Sequence, residues 1–187
     1  MKKFIPPLLM TLVFLFGCSK DTNINAPETP AITKNAQLIK LPTPKHGLSV
    51  NTIYTTEKYI SGYNGGSFWS PFSYQSNNGQ VYISSYLSFP SGSFAGGKTI
   101  TQTFNTETAS LEFGPAMQFN VPILYTLTVT GLDLTGVNPA TLDFVYVAQD
   151  GTITGVQYDS ITMNVATGML KVTNARLEHF SRYGFVN

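Results

Sequence analysis

Between residues 81 and 89 the chain alternates without a break. Val81, Ile83, Ser85, Leu87 and Phe89 share one face, and Tyr82, Ser84, Tyr86 and Ser88 share the other. A period of two held this long marks a half-buried β-strand and excludes an amphipathic helix, whose apolar residues recur every three to four positions. Just before it stands Asn77-Asn78-Gly79. Asn-Gly supplies the positive φ angles that a tight turn requires, so the preceding segment, residues 67–74, is expected to fold back as a hairpin partner. Pro71 within that partner cannot donate to a ladder, which suits an edge strand or a bulge.

The rest of the chain repeats this design. Residues 50–60 mix Thr, Tyr and Ile, and read as a first strand ended by Gly62, Gly65 and Gly66. Residues 99–104 and 111–113 are short strands, the latter followed by Gly114-Pro115. Residues 123–130 alternate again, with Ile123, Tyr125, Leu127 and Val129 against Leu124, Thr126, Thr128 and Thr130. Residues 142–148 and 152–158 flank Gln149-Asp150-Gly151, and residues 160–165 and 169–175 flank Thr167-Gly168. A closing strand is expected over residues 177–186. Charged residues are 11% of the chain, against about 25% in ordinary domains. The 10 Tyr and 13 Phe favour strands over helices. The expectation is an all-β domain: one antiparallel β-sandwich of roughly ten short strands over residues 50–187, without significant helix.

The N-terminus reads as an address. Lys2 and Lys3 precede an apolar run over residues 5–16, too short for a membrane-spanning helix, which needs about 20 apolar residues. Leu15-Phe16-Gly17-Cys18 then resembles the bacterial lipoprotein signal, in which cleavage leaves the cysteine as the new N-terminus. The resemblance implies a signal peptide over residues 1–17, lipidation of Cys18 (with palmitate among the acyl chains), and attachment to the membrane. Cys18 is the only cysteine, which excludes an intramolecular disulfide. Ser19-Lys20-Asp21 resembles the export signals of surface lipoproteins, so the expected location is the cell envelope, at the outer membrane or cell surface. Residues 18–49 follow as a tether punctuated by Pro27, Pro30, Pro42 and Pro44, with local packing expected only around residues 36–41. His46 in this tether has no metal-ligating neighbours. The net charge is +1, and no basic patch is present, which argues against nucleic-acid binding.

Several marks in order resemble the ZU5-type β-sandwich. They are Gly65-Gly66, then Leu87-Ser88-Phe89-Pro90-Ser91-Gly92-Ser93-Phe94, then Phe113-Gly114-Pro115 with Phe119 and Pro122, the Asp150-Gly151 hairpin, and His179-Phe180-Ser181 with Tyr183. Gly155-Val156 stands where the family often has Trp. The resemblance implies a non-catalytic interaction or adhesion module. It also raises self-cleavage, because some members carrying His-Phe-Ser cut themselves between Phe and Ser. In that scheme Ser181 Oγ attacks the Phe180 carbonyl while His179 moves the proton, and backbone strain must assist a weak nucleophile. The opposing reading makes Phe180 and Tyr183 core residues of a closing strand. Leu177, Tyr183 and Phe185 fall on one parity and Phe180 and Val186 on the other, so a β-bulge is expected between Leu177 and Tyr183.

No cofactor is implied. The folded region has one histidine and scattered carboxylates, and Asp133, Asp143 and Asp150 sit where turn and cap residues belong. Gly96-Gly97-Lys98-Thr99 lacks the spacing of a phosphate-binding loop and reads as a turn. For binding, Tyr82 and Tyr86 oppose the apolar face of their strand, and Trp69 falls beside them across the hairpin. Exposed flat rings stack on sugars or anchor protein partners. Trp69 in the core, with the tyrosines as ordinary cross-strand pairs, is the alternative.

Overall fold

The computed structural model describes residues 36–45 and 53–187. Eleven strands and no helix are present among them. They are β1 Ile53–Ser61, β2 Gly66–Ser76, β3 Gly79–Phe89, β4 Gly97–Asn105, β5 Ser110–Gly114, β6 Gln118–Thr130, β7 Asp143–Val147, β8 Ile153–Gly155, β9 Ser160–Asn164, β10 Met169–His179 and β11 Arg182–Val186. They form two antiparallel sheets. Sheet I has the order β1-β4-β5-β11-β7-β8 and sheet II the order β2-β3-β6-β10-β9. This is the all-β antiparallel sandwich expected from the alternation, with eleven strands instead of roughly ten. The expected strand over 152–158 shrinks to β8.

The alternation places the core. β3 buries Val81, Ile83, Leu87 and Phe89, and β6 buries Ile123, Tyr125, Leu127 and Val129. Sheet I meets them with Ile100, Phe104, Leu111, Phe113, Phe144, Tyr183 and Phe185. Each fully buried side chain of this size contributes about 1.5–3 kcal/mol of transfer free energy. The one polar cluster among these apolar residues is satisfied internally. Ser85 donates to Gln102 Oε1, Ser85 Oγ and Tyr125 OH lie 3.2 Å apart, and Gln102 Nε2 donates to the Phe68 carbonyl at 3.4 Å. Pro71 sits on β2, an edge strand of sheet II, where its missing N–H costs no ladder bond. Gly79 takes φ +121 in the turn joining β2 to β3.

The expected closing strand over 177–186 is two strands in different sheets. β10 ends at His179 in sheet II, the chain crosses at Phe180 and Ser181, and β11 begins at Arg182 in sheet I. The register of β10 against β6 shifts between Leu177 and His179, within the interval where a bulge was expected, with the extra residues on β6 around Phe119 and Pro122. A second shift lies between Val172 and Ala175. There Asn174 adopts φ 52, its N–H donates to Thr126 Oγ1 at 3.2 Å, and its amide donates to Asp159 at 2.7 Å.

Residues 36–45, read from the sequence as the end of a tether, are bonded into the sandwich. The Ile39 N–H donates to the Phe185 carbonyl at 2.9 Å, and the Ile39 carbonyl accepts from Ala109 at 2.8 Å. The Leu41 N–H donates to Glu107 O at 3.0 Å, and Lys45 N–H to Gln75 O at 2.8 Å. Ile39 and Leu41 turn into the main core, whereas Ala36 and Leu38 cover Val145, Val147 and Val186 on the outer face of sheet I. That covering explains why both parities of β11 are buried. Gly184 permits the close crossing: a Cβ there would lie 2.9 Å from the Ala109 carbonyl oxygen and from Leu38 Cδ2, and 2.7 Å from Ser110 Cβ.

Candidate functional site

Two places hold the residues singled out from the sequence. The first is the outer face of sheet II. The β2–β3 register sets Trp69 directly opposite Tyr86, and the β3–β6 register sets Tyr86 opposite Thr126. Tyr82 lies opposite Ser73 on one side and Thr130 on the other. Trp69 is 58% exposed, Tyr82 40% and Tyr86 41%. Trp69 is thus a surface residue, and the alternative that placed it in the core does not hold. Its indole Nε1–H donates to Ser84 Oγ at 3.0 Å, which fixes the ring over the strand beside it. Ser84 was not singled out from the sequence, although its position midway between Tyr82 and Tyr86 was the available signal. Between the rows that carry the rings lie the exposed Pro71 and the half-buried Ser84 and Thr128, with the half-buried Thr126, Thr130 and Ser88 around them.

The second place is the crossing between sheets. The Tyr183 hydroxyl donates to the His179 carbonyl at 2.7 Å and lies 3.5 Å from His179 Nδ1. A tyrosine hydroxyl bonded to the backbone a few residues upstream clamps a chain where it changes sheets, as in the tyrosine corner of other sandwiches. Burial pushes the Tyr183 hydroxyl well above the ordinary tyrosine range, with Tyr146 and Glu178 adding to the effect. The Tyr146 ring stands edge-on to the His179 imidazole, 4.6 Å between centroids at 84°. Tyr146 carried no sequence signal, because only the pairing of β7 with β11 brings it near His179.

The bond between Phe180 and Ser181 is held on both sides. The Phe180 N–H donates to Met117 O at 2.9 Å, and the Ser181 carbonyl accepts from Phe113 N–H at 2.9 Å. The Phe180 ring is buried against Phe119 at 4.8 Å, Phe113 at 5.5 Å and Phe89 at 6.3 Å. His179 lines a depression of about 370 Å³ with Tyr146, Arg176, Glu178 and Tyr183. Ser181 lines a different one, of about 400 Å³, with Glu112, Phe113 and Arg182. The two depressions share no residue. Among the described residues, the only positive φ outside glycine is at Asn174, six residues before Phe180 and away from the bond.

The carboxylates Asp133 and Asp150 act in turns, accepting from the N–H groups of Thr135 and Thr152 at 3.0 and 2.8 Å, bonds that hold both carboxyls below their usual range. Asp143 accepts from the Tyr158 hydroxyl at 2.9 Å. Among the described residues no three His, Cys, Asp or Glu side chains cluster as metal ligands. Gly96 turns with φ +73, and Lys98 and Thr99 belong to β4. Cys18 and His46 lie outside the described residues. Compared with family models, curated proteins and solved structures, the chain matches none.

Proposed function

We propose that this chain is a lipid-anchored protein of the bacterial cell envelope, at the outer membrane or cell surface, that presents a non-catalytic β-sandwich as an interaction or adhesion module. The observation that carries the reading is the outer face of sheet II, uncovered among the described residues, where Trp69, Tyr82 and Tyr86 stand exposed side by side. Large aromatic residues grouped on one rigid surface are what a recognition site needs, because they offer much contact area for little lost side-chain entropy. The ZU5 resemblance belongs to this reading. Its marks fall at the start of β2, at the turn after β3, at the end of β5, in the β7–β8 hairpin and at the crossing into β11. The anchor is the diacylated or triacylated Cys18, since two or more chains hold a protein on a membrane stably.

Fractionation tests the anchor. The Cys18→Ala chain is expected in the soluble fraction without incorporated palmitate, and its retention in the membrane fraction would overturn the anchor. Intact mass after prolonged incubation tests the non-catalytic part. An unchanged mass is expected, and loss of residues 181–187 would show a self-cleaving domain instead.

A further inference from the structure

The three strands that carry the exposed rings hold no charge. β2 reads GSFWSPFSYQS, β3 GQVYISSYLSF and β6 QFNVPILYTLTVT, without one Asp, Glu, Lys or Arg. Charge resumes only at the borders of the face. On one side Lys58 reaches over to the Ser67 carbonyl at 2.8 Å. On the other, β10 sets Lys171 opposite Thr128 and Arg176 opposite Leu124, with Glu178 beyond. The surface between is mostly hydroxyls and aromatic rings, with Pro71 and Leu124 among them.

We infer that the ligand of this face is an extended, uncharged glycan lying along β3, stacked at Trp69 and Tyr86 and again at Tyr82. This rests on the proposed role of the face in binding and adds the chemistry of what it binds. Three features support it. A sugar ring presents an apolar C–H face to an aromatic ring and hydroxyls at its rim, and the Ser and Thr hydroxyls between the platforms are matching donors and acceptors. Tyr82 and Tyr86 are four residues apart on one strand, roughly 13 Å at about 3.3 Å per residue, so one ligand touching both must be longer than a single sugar. The register from β2 through β3 to β6 runs without a shift between Tyr82 and Tyr86, so the platform is continuous across three strands. A protein partner fits less well, because the buried centres of protein interfaces are depleted in serine, and here Ser84 and Thr128, beside Pro71, form the row between the rings.

The experiment measures retention of the full-length chain, purified in detergent, on immobilised neutral polysaccharides (a β-glucan, a xylan and a mannan) and acidic ones (a polyuronate and a sulfated glycan). The variants are Trp69→Ala, Tyr82→Ala and the off-face control Tyr63→Ala, in the β1–β2 connection and 68% exposed. Circular dichroism confirms that each variant is folded. Retention on a neutral polysaccharide is expected, unchanged by raised salt, weakened roughly tenfold or more in Trp69→Ala and less in Tyr82→Ala, and unaffected in Tyr63→Ala. Preference for the acidic polysaccharides, with loss in Trp69→Ala, would overturn the neutral ligand while keeping the face as the binding surface. Equal competition by a monosaccharide and a long oligosaccharide would overturn the extended ligand. Retention that ignores Trp69 and Tyr82 would overturn the face itself. No retention on any polysaccharide, with a dimer by sedimentation that Trp69→Ala dissociates, would make the face a self-association surface and overturn the inference.

Discussion

The β11–β7 part of sheet I and the hairpin side of sheet II treat their outer faces oppositely, although Ile53 and Tyr59 on β1 also stand exposed on the outer face of sheet I. Sheet I carries small apolar residues outward, Val145, Val147 and Val186, and residues 36–38 with Ile153 cover them. Sheet II carries large aromatic residues outward, and they stay open to solvent. A valine patch left in water gains nothing, so the chain spends a backbone-bonded segment to hide it. Trp69 and Tyr86 are the larger apolar surfaces, yet the described residues 36–45 cover the valines instead, and the last of them, Lys45, bonds to the Gln75 carbonyl near the turn of the β2–β3 hairpin. The difference separates a face built for stability from one available for recognition.

A charge placed on each face breaks the comparison most sharply. Val145→Asp, at a fully buried position under residues 36–38, puts a carboxylate where neither water nor a partner reaches it. The expected loss is several kcal/mol, a large share of the 5–15 kcal/mol typical of a domain. Urea denaturation reads it as a sharply lowered midpoint or a failure to fold. A loss below about 1 kcal/mol would mean that the covering segment lifts away and that sheet I is no more closed than sheet II.

Ile39→Ala probes the same cover with a smaller effect. Ile39 belongs to the main core and both of its backbone groups are bonded, to Phe185 and Ala109. The expected cost is about 2 kcal/mol, the low end for burying a cavity at such a site, since a segment at the surface can partly collapse into the space. Amide exchange sharpens the result: Ile39, Leu41 and Ala109 should lose protection together, whereas β3 and β6 should keep theirs.

The cover also has a pH limit. The Tyr74 hydroxyl donates to the Pro42 carbonyl at 2.8 Å, and burial pushes its pKa up to about 12, with Tyr54 adding to the shift. A tyrosine whose folded pKa is raised contributes stability that is complete below pH 10 and is lost as pH rises through 12. Ionised, it has no proton to donate to Pro42. Stability is therefore expected to be flat with respect to this group up to about pH 10 and to fall between 10 and 12, and Tyr74→Phe should remove that part of the fall while costing about 1 kcal/mol at neutral pH. An identical alkaline profile in Tyr74→Phe would assign the fall to the other tyrosines that burial raises, Tyr125, Tyr158 and Tyr183.

How much of this was readable beforehand follows from what period two can and cannot say. It gave the sides of β3 and β6 residue by residue, and the Asn78-Gly79 turn then placed Trp69 on the side of Tyr86. It is silent on which sheet a strand joins. Residues 177–186 therefore read as one strand with conflicting parities. The conflict is resolved by a change of sheet at Phe180 and Ser181 and a cover over Val186 that comes from a segment nearly 150 residues earlier, whereas the register shift before His179 lies on β6 and leaves the parity of β10 unchanged. Non-local burial of that kind leaves no local pattern. The same limit hid Tyr146 beside His179, and it made residues 36–45 look like tether because their bonding partners, Glu107, Ala109 and Phe185, are distant in sequence.

The smallest expected effect is the most discriminating. Trp69→Asp places on sheet II the same charge that Val145→Asp places on sheet I, and the hydrogen bond it deletes, to Ser84, is itself at the surface. Water replaces that partner without leaving a buried group unsatisfied, so the stability change should stay within about 0.5 kcal/mol. On that expectation the fold tolerates a charge in the middle of its neutral face. If the charge-free character of β2, β3 and β6 were a requirement of folding, Trp69→Asp would unfold the domain. If the stability change stays small while the ligand is lost, the neutrality of the face belongs to what it binds. Thermal melts of Trp69→Asp and Val145→Asp run side by side decide between the two, because they hold the substituent constant and vary only the face.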